Sequence, residues 1–195
     1  MNTMLEISVF LIQSIGSLLV IAFLLRFLLQ LSRASFYNPI AQTIYKVTQV
    51  PTQMVGKVLP PYRAFNTASL TLALLMEFVA IVACILLAGG GLTNLLYPVL
   101  WSLIGVASMV VNLYFYGIFV VVIVSWVAPH TQHPAVALIW QLVEPITAPL
   151  RRLIPPMGGL DLSTMGVLLI IMVIRIVLRD VSMATYLPPG LVPGV

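Results

Sequence analysis

Four stretches of this chain are each long and apolar enough to cross a bilayer: Leu5 to Leu31, Phe65 to Ala88, Pro98 to Ala128 and Leu162 to Tyr186. A hydrocarbon core takes about 20 apolar residues of helix, because each residue advances only about 1.5 Å. No water is present there to satisfy a bare amide, so the backbone must bond to itself. The composition agrees, with 61% hydrophobic and 7% charged residues against roughly 25% charge in soluble domains. The expected fold is all-α and integral to the membrane, with four transmembrane helices. The third stretch is long enough to tilt or to leave its first turn at the interface, where Tyr97 and Trp101 would meet headgroups. The first is expected to be retained, since "MNTMLEISVF" opens acidic and lacks the basic start of a secretory signal.

The few charges set a direction. Arg33, Lys46, Lys57 and Arg63 lie in the first connector and Arg151 and Arg152 in the third, whereas the other side has only Arg179, offset by Asp180. Cations accumulate on the cytoplasmic side. Both long connectors are therefore expected in the cytoplasm, and both termini in the periplasm. A formal charge of +4, dispersed in this way, does not build a nucleic-acid groove, so no direct nucleic-acid binding is expected. The single cysteine, Cys84, sits in an apolar run and reads as a small buried hydrophobe.

The two long connectors repeat one device. A shift of 95 residues (155 − 60) lays Pro39 on Pro134, Ile44 on Ile139, Thr52 on Thr147, and Pro60-Pro61 on Pro155-Pro156 without a gap. Tyr45 then meets Trp140, Gln49 meets Glu144 and Lys57 meets Arg152. Two parallel repeats follow, residues 1–94 and 95–195, each a helix, an amphipathic interfacial connector and a helix. "NPIAQTIYKVTQ" supplies an Asn cap and a Pro at the first helical position, then Ile40, Ile44 and Val47 at helical spacing. "HPAVALIWQLVE" repeats the scheme with Val136, Ile139, Trp140 and Val143. The prolines after Glu144 are expected to break that helix, and "PLRRLIPP" to form a second short turn. Leu150, Leu153 and Ile154 would then dip into lipid while the arginines stay with phosphates.

These residues resemble one family. "LLRFLLQLSRASFYNPIAQTIYKVTQ" and "SWVAPHTQHPAVALIWQLVEPITAPLRRLIPP" look like the two copies of the YggT repeat, which in single copy characterises the YlmG relatives. The first copy departs at Val50 and Met54, where proline would be expected, and at Gly56 in place of the first arginine. The resemblance implies a four-span membrane protein associated with osmotic tolerance and ion homeostasis. In photosynthetic lineages the relatives are linked to nucleoid or division-related organisation and to membrane-complex assembly. The family offers no accepted catalytic residues to carry over.

Ionisable groups inside a bilayer are costly, so Arg26, Glu77 and Arg175 need an account. The expectation is an ion pair of Glu77 with Arg175 or Arg26, serving as a packing clamp, an ion or proton path, or a lipid or partner contact. Gln13, Gln30, Asn112 and Ser125 read as interhelical hydrogen-bonding points. His130 and His133 have a spacing that could seat metal ligands but lack the rest of a coordination sphere, so a surface loop with His133 capping the next helix is expected. Asp161 suits a cap for the fourth span. The tail "YLPPGLVPGV" is expected to be extended and to fold back on the outer surface.

No nucleophile elbow, HExxH, P-loop or GxGxxG is present in the sequence, so no enzyme, cofactor or metal is expected. The favoured reading is a cytoplasmic-membrane organiser or assembly factor. Arg151, Arg152, Lys57, Trp140 and Tyr45 would contact anionic lipid or a membrane complex. A capping of the bundle ends by the connectors, a soluble partner, and a permeation protein acting as a homo-oligomer are the alternatives.

Overall fold

The computed structural model describes residues 3–61, 65–92, 94–128, 131–153 and 162–194. Six helices follow in order: α1 (Thr3–Leu31), α2 (Pro39–Gly56), α3 (Thr67–Leu87), α4 (Leu96–Val127), α5 (Pro134–Leu153) and α6 (Leu162–Ala184). No strand occurs among the described residues. The repeat is visible in where helices begin. α2 and α5 start 95 residues apart (134 − 39), as do α3 and α6 (162 − 67).

α1, α3 and α4 are long and apolar enough to cross a membrane. The fourth expected span falls on α6, which has 23 residues but is not one of these three. It carries three charges, Arg175, Arg179 and Asp180, in its second half.

The helix ends follow local chemistry. Asn66 Oδ1 accepts from Ser69 N at 2.9 Å and caps α3. At the other end Gly89, at φ 76, lets Gly90 N reach Ile85 O at 2.9 Å and Gly89 N reach Leu86 O at 3.1 Å, a left-handed cap that reuses orphan carbonyls. α1 and α6 end in the same way, but with Arg33 (φ 53) and Tyr186 (φ 54) in the position that favours glycine.

The apolar faces of α2 and α5 are built into the core. Phe27, Leu28 and Leu29 of α1 pack with Ala41 of α2 and with Leu138 and Leu142 of α5. Ile118 of α4 packs with Val143 of α5 and with Val167 and Ile171 of α6. A further cluster joins Val20, Phe23 and Leu24 of α1 to Leu72 and Ala73 of α3 and to Val106 and Met109 of α4. α1 and α3 approach closely at Gly16, where an added Cβ would stand 2.9 Å from Ala80 Cβ.

One expectation is overturned. α5 does not break after Glu144 but runs through Pro145 and Pro149 to Leu153. A helix-interior proline forfeits a backbone bond and costs about 3 kcal/mol. Both prolines are exposed, so the carbonyls they free open outward to solvent or headgroups. The opposite face is held by Leu142, Val143 and Thr147, all buried. α2 likewise runs through Pro51.

Candidate functional site

The connector helices form a platform at one end of the bundle. Asn38 stands at the first corner, with its Oδ1 accepting from Ile40 N at 2.9 Å and Pro39 opening the helix. Its amide also donates to Pro134 O at 2.7 Å, at the start of α5. Ser35 N donates to Gln141 Oε1 at 2.8 Å, giving a second stitch between the two connectors. The α5 start uses the same geometry with different chemistry, since His133 Nδ1 accepts from Ala135 N at 3.2 Å. His133 thus caps α5 as expected. His130, Arg63 and Asp161 lie outside the described residues.

Arg26 ties the platform to the bundle. Its Nη1 donates to Tyr45 O and to Thr48 Oγ1, each at 3.0 Å. Its guanidinium lies 4.8 Å from the centre of the Tyr45 ring, and that ring also meets Phe36 at 4.8 Å. Burial pushes the Tyr45 phenol up from its ordinary value, against the pull of the Arg26 charge. Tyr45 is therefore part of an internal joint and only half available as a lipid contact.

The outward face of α2 is apolar apart from Thr43, whose hydroxyl donates to Pro39 O. Val47, Val50, Met54 and Val58, in and just beyond the helix, are 61–79% exposed. At about 100° per residue they fill one sector roughly 80° wide. Lys46 and Lys57 lie on one edge of that sector, and Ile40, Ile44 and Val55 on the side facing the core. Ile40 and Ile44, expected to share one interfacial face with Val47, therefore turn to the core, and only Val47 faces outward. Helical periodicity over eight residues does not separate a core-facing apolar stripe from a second one beside it.

The outward face of α5 differs. It shows Pro145, Pro149 and Arg152, with Trp140 at the border, 37% exposed. Arg151 pairs with Glu144 at 3.2 Å. Such a half-exposed pair contributes about 0–1 kcal/mol, and it neutralises one of the two arginines set by sequence at this site.

Glu77, Arg26 and Arg175 are arranged differently from the expected pair. Glu77, central in α3, is 2% exposed, and its Oε1 meets no hydrogen-bond partner among the described residues. It packs against Gly105 of α4, where a Cβ would stand 2.7 Å from Oε1 and 2.7 Å from Val192 Cγ1. Arg26 is engaged with α2, and Arg175 lies over the Phe115 ring at 4.9 Å. The structure brings neither arginine into an ion pair with Glu77 among the described residues.

The tail packs deeper than the outer surface expected for it. Trp101 Nε1 donates to Thr185 O at 3.1 Å, Gln13 Nε2 to Gly190 O at 2.7 Å and Asn112 Nδ2 to Gly194 O at 3.2 Å. Val192 is buried against Glu77 and Gly105. Irregular backbone away from water needs protein donors, and Gln13 and Asn112 supply them to the tail. Composition marks the tail as non-helical but does not say where it docks. Gln13 and Asn112 were the available signal, as interhelical donors without an obvious acceptor.

The sequence model of the CCB3/YggT family matches residues 5–87 and 100–182, two segments again offset by 95 (100 − 5). An uncharacterized protein of Pseudomonas aeruginosa is 36% identical over 186 residues, covering 94% of each chain. The uncharacterized protein YggT of Escherichia coli K12 is 31% identical over 195 residues, covering 98% of each. A Vibrio alginolyticus protein is 35% identical over 160 residues, 80% of this chain and 84% of its own. No solved structure matches. With both repeats matched, and relatives similar over nearly their full length, the chain belongs to the CCB3/YggT family.

Proposed function

We propose that this protein is a non-enzymatic organiser or assembly factor of the bacterial cytoplasmic membrane. It crosses the membrane four times as two repeats, 1–94 and 95–195, with both termini periplasmic and the α2–α5 platform at the inner leaflet. The observation that carries this reading is the outward face of α2. An apolar sector edged by Lys46 and Lys57 suits a helix lying in the headgroup layer, with lysines reaching phosphate and valines reaching acyl chains. Lys57, Arg151, Arg152 and Trp140 then face anionic lipid or a membrane complex, with Lys57 and Arg152 each adding about 1 kcal/mol near such a surface and Arg151 less because Glu144 already pairs with it. Support for a fourth span comes from α6, which exposes Leu169, Val173, Ile176 and Val177 at 54–67%, a setting that lipid satisfies and water does not.

The rival reading is ion or osmolyte permeation through the bundle, and it rests on Glu77. Against it stands the packing of Gly105 and Val192 directly on that carboxylate, which leaves no room for a hydrated ion.

The test is a dye attached at Val50→Cys, in a Cys84→Ala background, with the protein reconstituted in vesicles of brominated lipid. Quenching is expected, and it should deepen when anionic lipid is added. An unquenched dye that is freely reached by aqueous iodide would overturn the platform's place in the membrane. Separately, Met54→Glu should abolish stoichiometric copurification of any membrane complex that the parent protein retains.

A further inference from the structure

The repeat allows the two halves to be compared position by position, and at one place they differ in kind. Shifted by 95 residues, Ala80 and Cys84 of α3 become Arg175 and Arg179 of α6. In the first half Ala80 closes against Gly16 of α1. In the second half that position carries a guanidinium, and α4 and α6 pack less extensively than α1 and α3. The result is a half-enclosed cavity of about 230 Å³ whose wall includes Ser108, Asn112, Arg175, Arg179 and Gly194.

The polar groups around this cavity are unfinished. Ser108 is 3% exposed, and neither its Oγ nor Asn112 Oδ1 finds a hydrogen-bond partner among the described residues, although both atoms are buried. Such groups are costly unless something completes them. Neither Arg175 nor Arg179 forms an ion pair with a carboxylate among the described residues. Among the described residues Arg175 meets the Phe115 ring. Guanidinium groups one turn apart on α6 recognise a tetrahedral oxyanion by forked, charge-assisted bonds. An unsatisfied Asn oxygen asks in addition for a donor on the same occupant.

We infer that the cavity between α4 and α6 is a binding site for a phosphate-bearing anion with a hydroxyl or protonated oxygen. Arg175 and Arg179 hold the phosphate, and Ser108 and Asn112 hold the donor side. This site is separate from the α2–α5 platform and does not depend on the proposed function. The shared chemistry is a phosphate ester or free phosphate, and either a lipid headgroup such as phosphoglycerol or inorganic phosphate can supply it.

The experiment uses the full chain in a neutral maltoside micelle. Phosphatidylglycerol is titrated by native mass spectrometry with phosphatidylcholine as competitor, and inorganic phosphate is titrated by calorimetry. Arg175→Gln and Arg179→Gln should each weaken binding at least about tenfold, the loss of one charge-assisted contact. Ser108→Val, which fills the cavity without touching charge, should do the same, and it keeps the test decisive if an arginine variant fails to fold. Arg151→Gln with Arg152→Gln should leave this binding unchanged. Sensitivity of the lipid titration to the cavity variants assigns a headgroup, whereas sensitivity of the phosphate titration alone assigns the free ion. The inference is overturned if neither probe binds. It is equally overturned if affinity stays within about twofold in Ser108→Val and whichever arginine variants fold, or if the platform variants alone remove binding.

Discussion

Replacing Gly16 by alanine tests the close approach of α1 and α3 in the first repeat. The new Cβ would stand 2.9 Å from Ala80 Cβ, whereas carbon atoms rest about 3.5–4.0 Å apart. A shortfall of about 0.6–1.1 Å therefore has to be taken up by the two backbones, since neither methyl can rotate away. Overpacking of this sort costs about 1–3 kcal/mol. Helix propensity works in the opposite sense, alanine being better than glycine by about 0.5–1 kcal/mol. The net expectation is a loss of about 0.5–2 kcal/mol. Ala80→Gly alone should lose about 1 kcal/mol from propensity and a small void. Combining the two moves one methyl across the interface and restores the gap, so the double variant should be more stable than the sum of the singles by about 1 kcal/mol or more. Reversible unfolding by dodecyl sulfate in maltoside micelles, followed by tryptophan fluorescence, measures all four proteins. A Gly16→Ala protein as stable as the parent, or strict additivity in the cycle, would refute the close contact.

Arg26→Met should remove two hydrogen bonds to α2 without orphaning Thr48, which still donates to Ile44 O; a net loss of about 1–3 kcal/mol and faster hydrogen exchange in α2 are expected, with exchange unchanged in α6. Asn38→Ala should cost about 1–2 kcal/mol and loosen both connectors together, because the same amide caps α2 and donates to Pro134 O; thermal unfolding and exchange at the α5 start measure this. Tyr186→Gly relieves a left-handed residue whose side chain is 80% exposed and should raise the melting point by a gain of up to about 1 kcal/mol. A periplasm-only reporter fused after Pro61 should stay inactive, and one fused after Gly91 should be active.

Much of this architecture can be read from the residues themselves. The helix starts at Pro39 and Pro134 follow from an Asn or His before a proline, and the observed α1, α3 and α4 fall within two residues of the apolar runs at each end. What escaped sequence reasoning shares one physical origin. Periodicity reports that a face is apolar, not which neighbour covers it, so Ile40, Ile44 and Tyr45 read as lipid-facing although they pack against the bundle. Proline reports a lost amide bond, but the survival of α5 through Pro145 depends on which side of the helix the freed carbonyl opens. The partners of Glu77, Arg26 and Arg175 are set by helix rotation, and a length of apolar sequence does not encode rotation. The empty counterpart of the Gly16–Ala80 contact was nonetheless legible in principle, since laying one repeat on the other exposes arginines where the first copy has small residues.

The equal spacing of helix starts in the two halves has a bearing on how the chain could be cut. Each half holds a long helix, a connector helix and a second long helix, and the covalent link between them is the short segment from Ala88 to Leu95. Nicking the chain there would sever no core cluster internally, because the clusters that hold Val106 with Leu72 and Leu138 with Leu28 already draw residues from both halves. Co-expressed as two polypeptides, the halves would meet through those same surfaces, and the joint would act as a tether that raises their local concentration rather than as a structural brace.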